Sequence, residues 1–145
     1  MPTRHATFTA WRVTPQPPGA VMDRTSADTA RWHRGAAPIV YASTTPELAV
    51  LEALAHLEPP YPPHALLKLR FRNVAARAAP RLPPDWKHRK AITRDIGDRW
   101  LAAGREMLML VPSALCPPAT NVLVATARLR PGQLRVTRLG GFHFD

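Results

Sequence analysis

Residues 38–57 read PIVYASTTPELAVLEALAHL and decide the fold, because a short apolar strand runs directly into a capped helix. The segment 38–43 is apolar and rich in strand-forming residues, which predicts a short buried strand. Thr44 followed three residues later by Glu47, with a proline in the first turn, predicts a helix start through a capping box. We expect this helix to continue to about Leu57.

The predicted helix over residues 44–57 carries apolar side chains on nearly every side, which predicts that it is largely buried. Glu52 lies within it among leucines and alanines. A carboxylate in such surroundings must be paired or must line a cavity, because burying an unpaired charge is costly. Glu52 is therefore the first candidate functional residue.

Strand patterns outnumber helical ones outside this segment. They are short, rich in β-branched and apolar residues, and bounded by prolines or polar turns. We predict further strands over residues 7–13, 65–72, 107–111, 121–126 and 134–139, and a second helix over 93–104 with Thr93 as its N-cap. Because no regular alternation of strand and helix is present, the sequence predicts an α+β fold with a mixed or mostly antiparallel sheet and flanking helices.

The chain has 145 residues, which is the length of one domain, and we expect a single domain over residues 1–145. No apolar stretch approaches the roughly 20 residues that span a bilayer, and the N-terminal segment lacks the apolar core of a secretory signal. We therefore expect a cytoplasmic protein without membrane contact. Cys116 is the single cysteine, and the six histidines show no ligand spacing, so no disulfide and no metal are expected.

The charge balance is strongly basic: 20 Lys and Arg against 10 Asp and Glu give a net charge of +10. Such a charge suits nucleic acid, an acidic protein partner or a plainly solvated surface. The basic residues are spread along the chain, and no zinc-finger, aromatic RNA-binding or helix-turn-helix pattern accompanies them. The charge alone does not decide among these partners.

Three more polar residues stand at the edges of the apolar segments. Arg31 precedes the first buried strand, Tyr41 lies within it, and Ser113 directly follows the apolar strand that ends at Pro112. Each is unremarkable alone. An arginine, a tyrosine and a serine grouped around Glu52 would form the polar pocket that ligand sites require.

Two longer segments carry a family resemblance. Residues 30–57 (ARWHRGAAPIVYASTTPELAVLEALAHL) and 108–125 (LMLVPSALCPPATNVLVA) resemble the RES domain family. The resemblance extends from the Trp11-Arg12 pair to the closing GFHFD and so covers nearly the whole chain. The arginine, tyrosine, glutamate, serine and asparagine of the family pattern fall on Arg31, Tyr41, Glu52, Ser113 and Asn121.

The chain also departs from the family pattern. Ala30 and His33 stand where a glycine and an asparagine flank the RW pair, and Ala125 replaces a second asparagine. The loop 17–30 carries charged residues in place of glycines. These departures concern the shape of the loop and the handling of the substrate.

The resemblance implies a function as well as a fold. RES proteins are toxins of bacterial toxin-antitoxin pairs, are related in fold to ADP-ribosyltransferase toxins, and consume NAD⁺ by hydrolysis, by phosphorolysis or by transfer of ADP-ribose to a protein. Their antitoxins have a helix-turn-helix part, which binds DNA, and a part that blocks the active site. NAD⁺ is thus the expected substrate, and an antitoxin and a protein acceptor are the expected partners, with no direct DNA binding by this chain.

Within this interpretation the candidate residues take distinct roles. Cleavage of the nicotinamide-ribose bond passes through an oxocarbenium-like transition state, which a carboxylate stabilises, so Glu52 is the expected catalytic residue together with Arg31 and Tyr41. A forked guanidinium suits a pyrophosphate, an aromatic ring suits nicotinamide, and a hydroxyl suits an amide or ribose. The expected binding residues are Arg12, Arg31, Tyr41, Ser113 and Asn121, with Arg24 as a further helper.

Two other functions stay open at this point. One is a basic nucleic-acid-binding module without catalysis. The other is an RNA-cleaving toxin in which Glu52 and a histidine such as His56 act as acid and base.

Overall fold

The structure is a computed structural model, and it describes residues 6–15, 30–35 and 37–144. Its strands, in chain order, are β1 (Ala6–Pro15), β2 (Val40–Ser43), β3 (His64–Val74), β4 (Ala76–Ala78), β5 (Leu108–Pro112), β6 (Thr120–Val124) and β7 (Leu134–Phe142). Within the described ranges these seven strands form one sheet in the order β4-β5-β6-β2-β1-β3-β7. Every neighbouring pair is antiparallel except β4 with β5. The predicted α+β class with a mostly antiparallel sheet is confirmed.

The predicted strands are all present, with small differences at their ends. β4 is an exception to the sequence reasoning, because its three exposed residues ARA carry no strand signal. Near the other edge, the pairing of β3 with β7 shifts between Leu66, opposite Gly140, and Leu67, opposite Arg138. Gly140 has a φ of 155°, so a glycine accommodates the bulge there.

The first helix, α1 (Pro46–Leu54), begins one residue later than the capping box predicts. Thr45 is its N-cap, and the Thr45 hydroxyl oxygen accepts a hydrogen bond from the amide of Leu48 at 3.1 Å. Thr44 instead donates its hydroxyl to the carbonyl of Thr120 at 2.9 Å, which ties β2 to the start of β6. The predicted cap at Thr44 is wrong, because the tertiary hydrogen bond takes that hydroxyl.

The prediction that α1 is largely buried is also wrong. Leu48 and Ala49 are buried where the helix packs mainly on β1. Leu51 and Leu54 are 44% and 38% exposed. The sheet covers one side of the helix, and the composition of the helix did not reveal which leucines would face away from it.

The second helix, α2 (Lys90–Ala103), begins before Thr93 and ends at Gly104, which adopts a left-handed φ of 66°. The N-cap position, Arg89, makes no side-chain capping bond, so the sequence carried no start signal there. Thr93 is buried inside the first turns, and its hydroxyl oxygen lies 2.5 Å from the carbonyl oxygen of Arg31. Thr93, the predicted N-cap, therefore binds the loop that carries Arg31 and does not cap the helix.

Apolar residues fill both faces of the sheet because side chains alternate along each strand. On one face lie Leu108, Val122 and Val124, packed with residues of β1, β2 and β3. Met109, Val111 and Leu123 lie on the other face beneath α2, with three tryptophans: Trp32, Trp86 and Trp100. Within the described residues, neither helix has the length and apolar character needed to cross a membrane.

Gly97 lets α2 approach the loop 30–34 closely. A Cβ at this position would lie 1.5 Å from the carbonyl oxygen of Trp32. Arg94 Nε donates to the carbonyl of Ala30 at 2.8 Å, and Arg34 forms exposed ion pairs with Asp95 and Asp98. Helix and loop thus form one unit, which fixes the position of the half-buried Arg31.

We predict that Gly97→Ala destabilises the protein by about 3 kcal/mol or more, because the helix and the loop backbone must separate to admit a methyl group. In an ordinary helix interior the same change stabilises by about 1 kcal/mol. Chemical denaturation measures the free energy of unfolding. The control is Ala102→Gly at an exposed position of α2, which should cost about 1 kcal/mol; a stabilised Gly97→Ala protein would contradict the close packing.

Candidate active site

A cavity of about 500 Å³ lies among β1, β2, α1, the start of α2 and the loop that carries Arg31. This volume is within the range of small-molecule sites. The polar lining residues include Arg12, Arg31, Glu52, Lys90, Arg94 and Asn121. Of the six residues expected at the site, five line this cavity: Arg12, Arg31, Tyr41, Glu52 and Asn121. The sixth, Ser113, does not line it.

Glu52 is held by two neutral donors on the same oxygen. Its Oε1 accepts a hydrogen bond from Ser113 Oγ at 2.6 Å and one from Asn121 Nδ2 at 2.7 Å. Among the described residues, Glu52 forms no ion pair, and its Oε2 accepts no hydrogen bond. One oxygen is therefore anchored to the protein while the other remains available to a ligand.

Ser113 anchors Glu52 from beneath the cavity. It is completely buried, and its Oγ accepts from the amides of Leu115 at 3.2 Å and Cys116 at 3.1 Å while donating to Glu52. The hydroxyl has no capacity left for a ligand. In this structure the Ser113 hydroxyl therefore contacts the carboxylate of Glu52 and does not face the cavity, whereas the sequence predicted a contact with a nicotinamide amide or a ribose hydroxyl.

Asn121 is the second residue of β6 and lies opposite Ser43, the last residue of β2. Asn121 Oδ1 accepts from Ser43 Oγ at 2.8 Å, and Asn121 Nδ2 donates to Glu52. The Asn121 side chain therefore links the two strands to α1 and lines the cavity at the same time.

Arg31 is fixed by contacts on three sides. Its Nη1 donates to the carbonyl of Lys87 at 3.0 Å, and its guanidinium lies 5.9 Å from the centre of the Trp86 ring. The Arg31 carbonyl is held by Thr93. Because a guanidinium has five N–H donors, this arrangement orients Arg31 and still leaves donors for an anion.

Arg12 reaches the same cavity from β1. Its Nη1 donates to the carbonyl of Tyr41 at 2.7 Å. The other expected helper, Arg24, lies outside the described residues.

Tyr41 belongs to the lining of the cavity, but its hydroxyl is turned toward the loop. The Tyr41 oxygen lies 2.7 Å from Nδ1 of the fully buried His33 and 3.4 Å from the amide nitrogen of Trp32. Burial raises the pKa of Tyr41 well above its ordinary value of 10.0. The hydroxyl therefore stays protonated and bonds to the loop. His33, one of the departures from the family pattern, is the residue that it contacts there.

Lys90 and Arg94 are the functional candidates that sequence reasoning missed. They lie four residues apart on α2, so both reach the cavity from one side of the helix. The basic spacing was visible in the sequence, but the helix start predicted at Thr93 left Lys90 outside it. Neither they nor Arg31 form an ion pair with a carboxylate in the described part of the chain.

The fold places the chain among α+β proteins of known architecture. It is similar to a chain of the Mycobacterium tuberculosis MbcT-MbcA toxin-antitoxin complex, with a TM-score of 0.69, 17% identity, and coverage of 98% of this chain and 86% of that one. The RES domain model matches residues 7–145, and the chain belongs to the RES domain family. The resemblance found in the sequence motifs is confirmed.

The chain is also similar in sequence to two named toxins. The chain is 40% identical over 98 residues to Toxin Res of Pseudomonas putida strain KT2440, covering 64% of this chain and 68% of that toxin. It is 30% identical over 106 residues to the Prs ADP-ribosylating toxin of Sphingobium sp. strain YBL2, covering 67% of this chain and 66% of that toxin.

The raised pKa of Tyr41 predicts a loss of stability at alkaline pH. A group whose pKa is higher in the folded state stabilises the folded protein fully at a pH below its unfolded pKa. This stabilisation is lost as the pH rises from the unfolded pKa through the folded pKa. Relative to Tyr41→Phe, the parent should lose about 1.4 kcal/mol of unfolding free energy between about pH 9 and about pH 11. Denaturation of both proteins across this range measures the difference, and a difference independent of pH would refute the assignment.

Proposed function

We propose that this chain is the toxin of a toxin-antitoxin pair and that it consumes NAD⁺ by cleaving the bond between nicotinamide and ribose. The observation that carries the proposal is Glu52: an anchored carboxylate without a described cationic partner, in a cavity lined by cationic side chains. Membership of the RES domain family and the relative named an ADP-ribosylating toxin support the same chemistry.

In the proposed reaction, the bond between ribose C1′ and the nicotinamide nitrogen breaks, and its electron pair stays on nicotinamide. The leaving group becomes neutral, and the positive charge passes to the ribose as an oxocarbenium ion. Glu52 stabilises this charge and accepts a hydrogen bond from a ribose hydroxyl at Oε2. Water, phosphate or a protein side chain then adds to C1′ and releases a proton.

Binding of NAD⁺ uses the remaining parts of the cavity. The diphosphate is expected to lie against Arg31, Lys90 and Arg94, whose positive charges have no described carboxylate partner. The rings of Trp11 and Tyr41 supply aromatic surface for stacking. Ser113 contributes indirectly, through Glu52.

The partner we propose is an antitoxin whose helix-turn-helix part binds DNA and whose other part covers the cavity. The similarity to a toxin-antitoxin complex supports this partner. So does the exposed apolar side of α1, where Leu51 and Leu54 flank Glu52 in the chain. A protein that removes NAD⁺ from its own cell needs such restraint, and an acceptor protein for ADP-ribose is a further proposed partner.

We predict that Glu52→Gln keeps the fold and lowers nicotinamide release by at least about 10²- to 10³-fold, because the transition-state charge loses its counter-charge. Chromatography of NAD⁺ incubated with the purified chain measures release, and thermal unfolding checks the fold. The control is Glu47→Gln, an exposed glutamate on the same helix, which should retain full activity.

Mass analysis of the ADP-ribose product, with and without phosphate and cell lysate, distinguishes hydrolysis, phosphorolysis and transfer to a protein. If the parent degrades RNA and leaves NAD⁺ intact, the RNA-cleaving alternative replaces the proposal.

We predict that Lys90→Ala raises the KM for NAD⁺ about tenfold with little change in kcat, because a phosphate contact acts equally on the ground state and the transition state. Added salt should reduce the difference from the parent by screening the contact. Arg99→Ala, an exposed position of α2 outside the cavity lining, is the matched control. Equal KM values for the parent and Lys90→Ala would remove Lys90 from the site.

A further inference from the structure

Two hydrogen-bond chains converge on Oε1 of Glu52. One runs from the amides of Leu115 and Cys116 through the Ser113 hydroxyl. The other runs from the Ser43 hydroxyl through the Asn121 side chain. The first chain begins at backbone groups, whereas the second begins at a single side chain, so substitution of Ser43 would leave Asn121 Oδ1 without this donor.

An asparagine side chain has a donor end and an acceptor end of nearly equal shape. With Nδ2 toward Glu52 the contact is attractive; with Oδ1 toward Glu52 two acceptors would meet and repel. Because the Glu52 carboxylate only accepts, it turns Nδ2 toward itself, and Ser43 Oγ holds the opposite end of the amide by donating to Asn121 Oδ1 at 2.8 Å. Ser43 lines the cavity but is only 3% exposed, so loss of its hydroxyl leaves Asn121 Oδ1 without a donor in a largely buried position.

We propose that Ser43 is a positioning residue for Glu52, acting through Asn121. The inference rests on the proposed NAD⁺-cleaving function only for its kinetic consequence. By keeping Asn121 Nδ2 on Oε1, Ser43 leaves Oε2 directed to the ligand. Displacement of a reacting group by about 1 Å costs on the order of 10²-fold in rate, so a loosened carboxylate lowers kcat more than it changes substrate binding.

The kinetic test compares Ser43→Ala, Asn121→Ala and the double variant. Ser43→Ala should lower kcat for nicotinamide release about tenfold and leave KM within about twofold. In the Asn121→Ala background the same substitution should have no further effect, because the residue through which Ser43 acts is gone. Multiplying effects in the double variant would overturn the proposal.

Thr44→Val is the matched control. Thr44 is the next residue, and its hydroxyl also bonds across to β6, but to the Thr120 carbonyl rather than to the Glu52 network. This variant should keep the parent kcat, whereas a loss equal to that of Ser43→Ala would mean that both act only through the stability of the strand pair. Thermal unfolding of each variant reports that stability.

A second measurement does not depend on turnover. The side-chain amide protons of Asn121, observed by ¹H–¹⁵N NMR of the full chain, should exchange with solvent several-fold faster in Ser43→Ala and at the parent rate in Thr44→Val. Unchanged Asn121 signals in Ser43→Ala would overturn the positioning role. If the parent releases no nicotinamide, the proposed function fails, and this NMR comparison still decides the role of Ser43.

Discussion

The hydrogen bonds to Glu52 Oε1 are the interaction on which the geometry of the site depends. Ser113 directly follows β5, and Asn121 lies near the start of β6. By accepting from both, one oxygen of Glu52 joins α1 to the two ends of the loop that connects β5 with β6. The helix is docked by apolar contacts of Leu48 and Ala49 and oriented by Glu52. An ion pair would cancel the charge of the carboxylate, whereas these neutral donors hold it and leave its charge in place. The charge therefore stays available to a ligand.

The opposite part of the cavity depends on a close approach of backbones. Gly97 allows α2 to lie against Trp32, and Thr93 and Arg94 bind carbonyls of the same loop. This contact places Arg31 beside the cavity and brings the first turn of α2 with it. The loop that carries Arg31 is thus supported by α2, which reduces the ordering that any ligand at this position would have to impose.

Local patterns in the sequence predicted every described strand except β4 and singled out Glu52 as a candidate. Alternation and a lone charge among leucines are properties of neighbouring residues. They did not predict contacts that arise between distant segments. The exposed Leu51, the buried and saturated Ser113, and the loop-binding Thr93 each depend on what packs against them in three dimensions. Lys90 shows the same limit, since its place on α2 follows from a helix start that carries no capping side chain.

The distribution of charge in the cavity also bears on the choice of ligand. Arg31, Lys90 and Arg94 come from the loop and α2, whereas Glu52, the carboxylate among the described lining residues, comes from α1. NAD⁺ has the complementary pattern, since its diphosphate is negative and its nicotinamide ring is positive until the bond to ribose breaks. An RNA strand is negative along its whole length, so a carboxylate beside the cations weakens its binding, although Glu52 and His56, the acid and base of the RNA-cleaving alternative, both line the cavity. A purely phosphate-binding site would have no use for Glu52, so the pairing of one anchored carboxylate with several cations favours the dinucleotide.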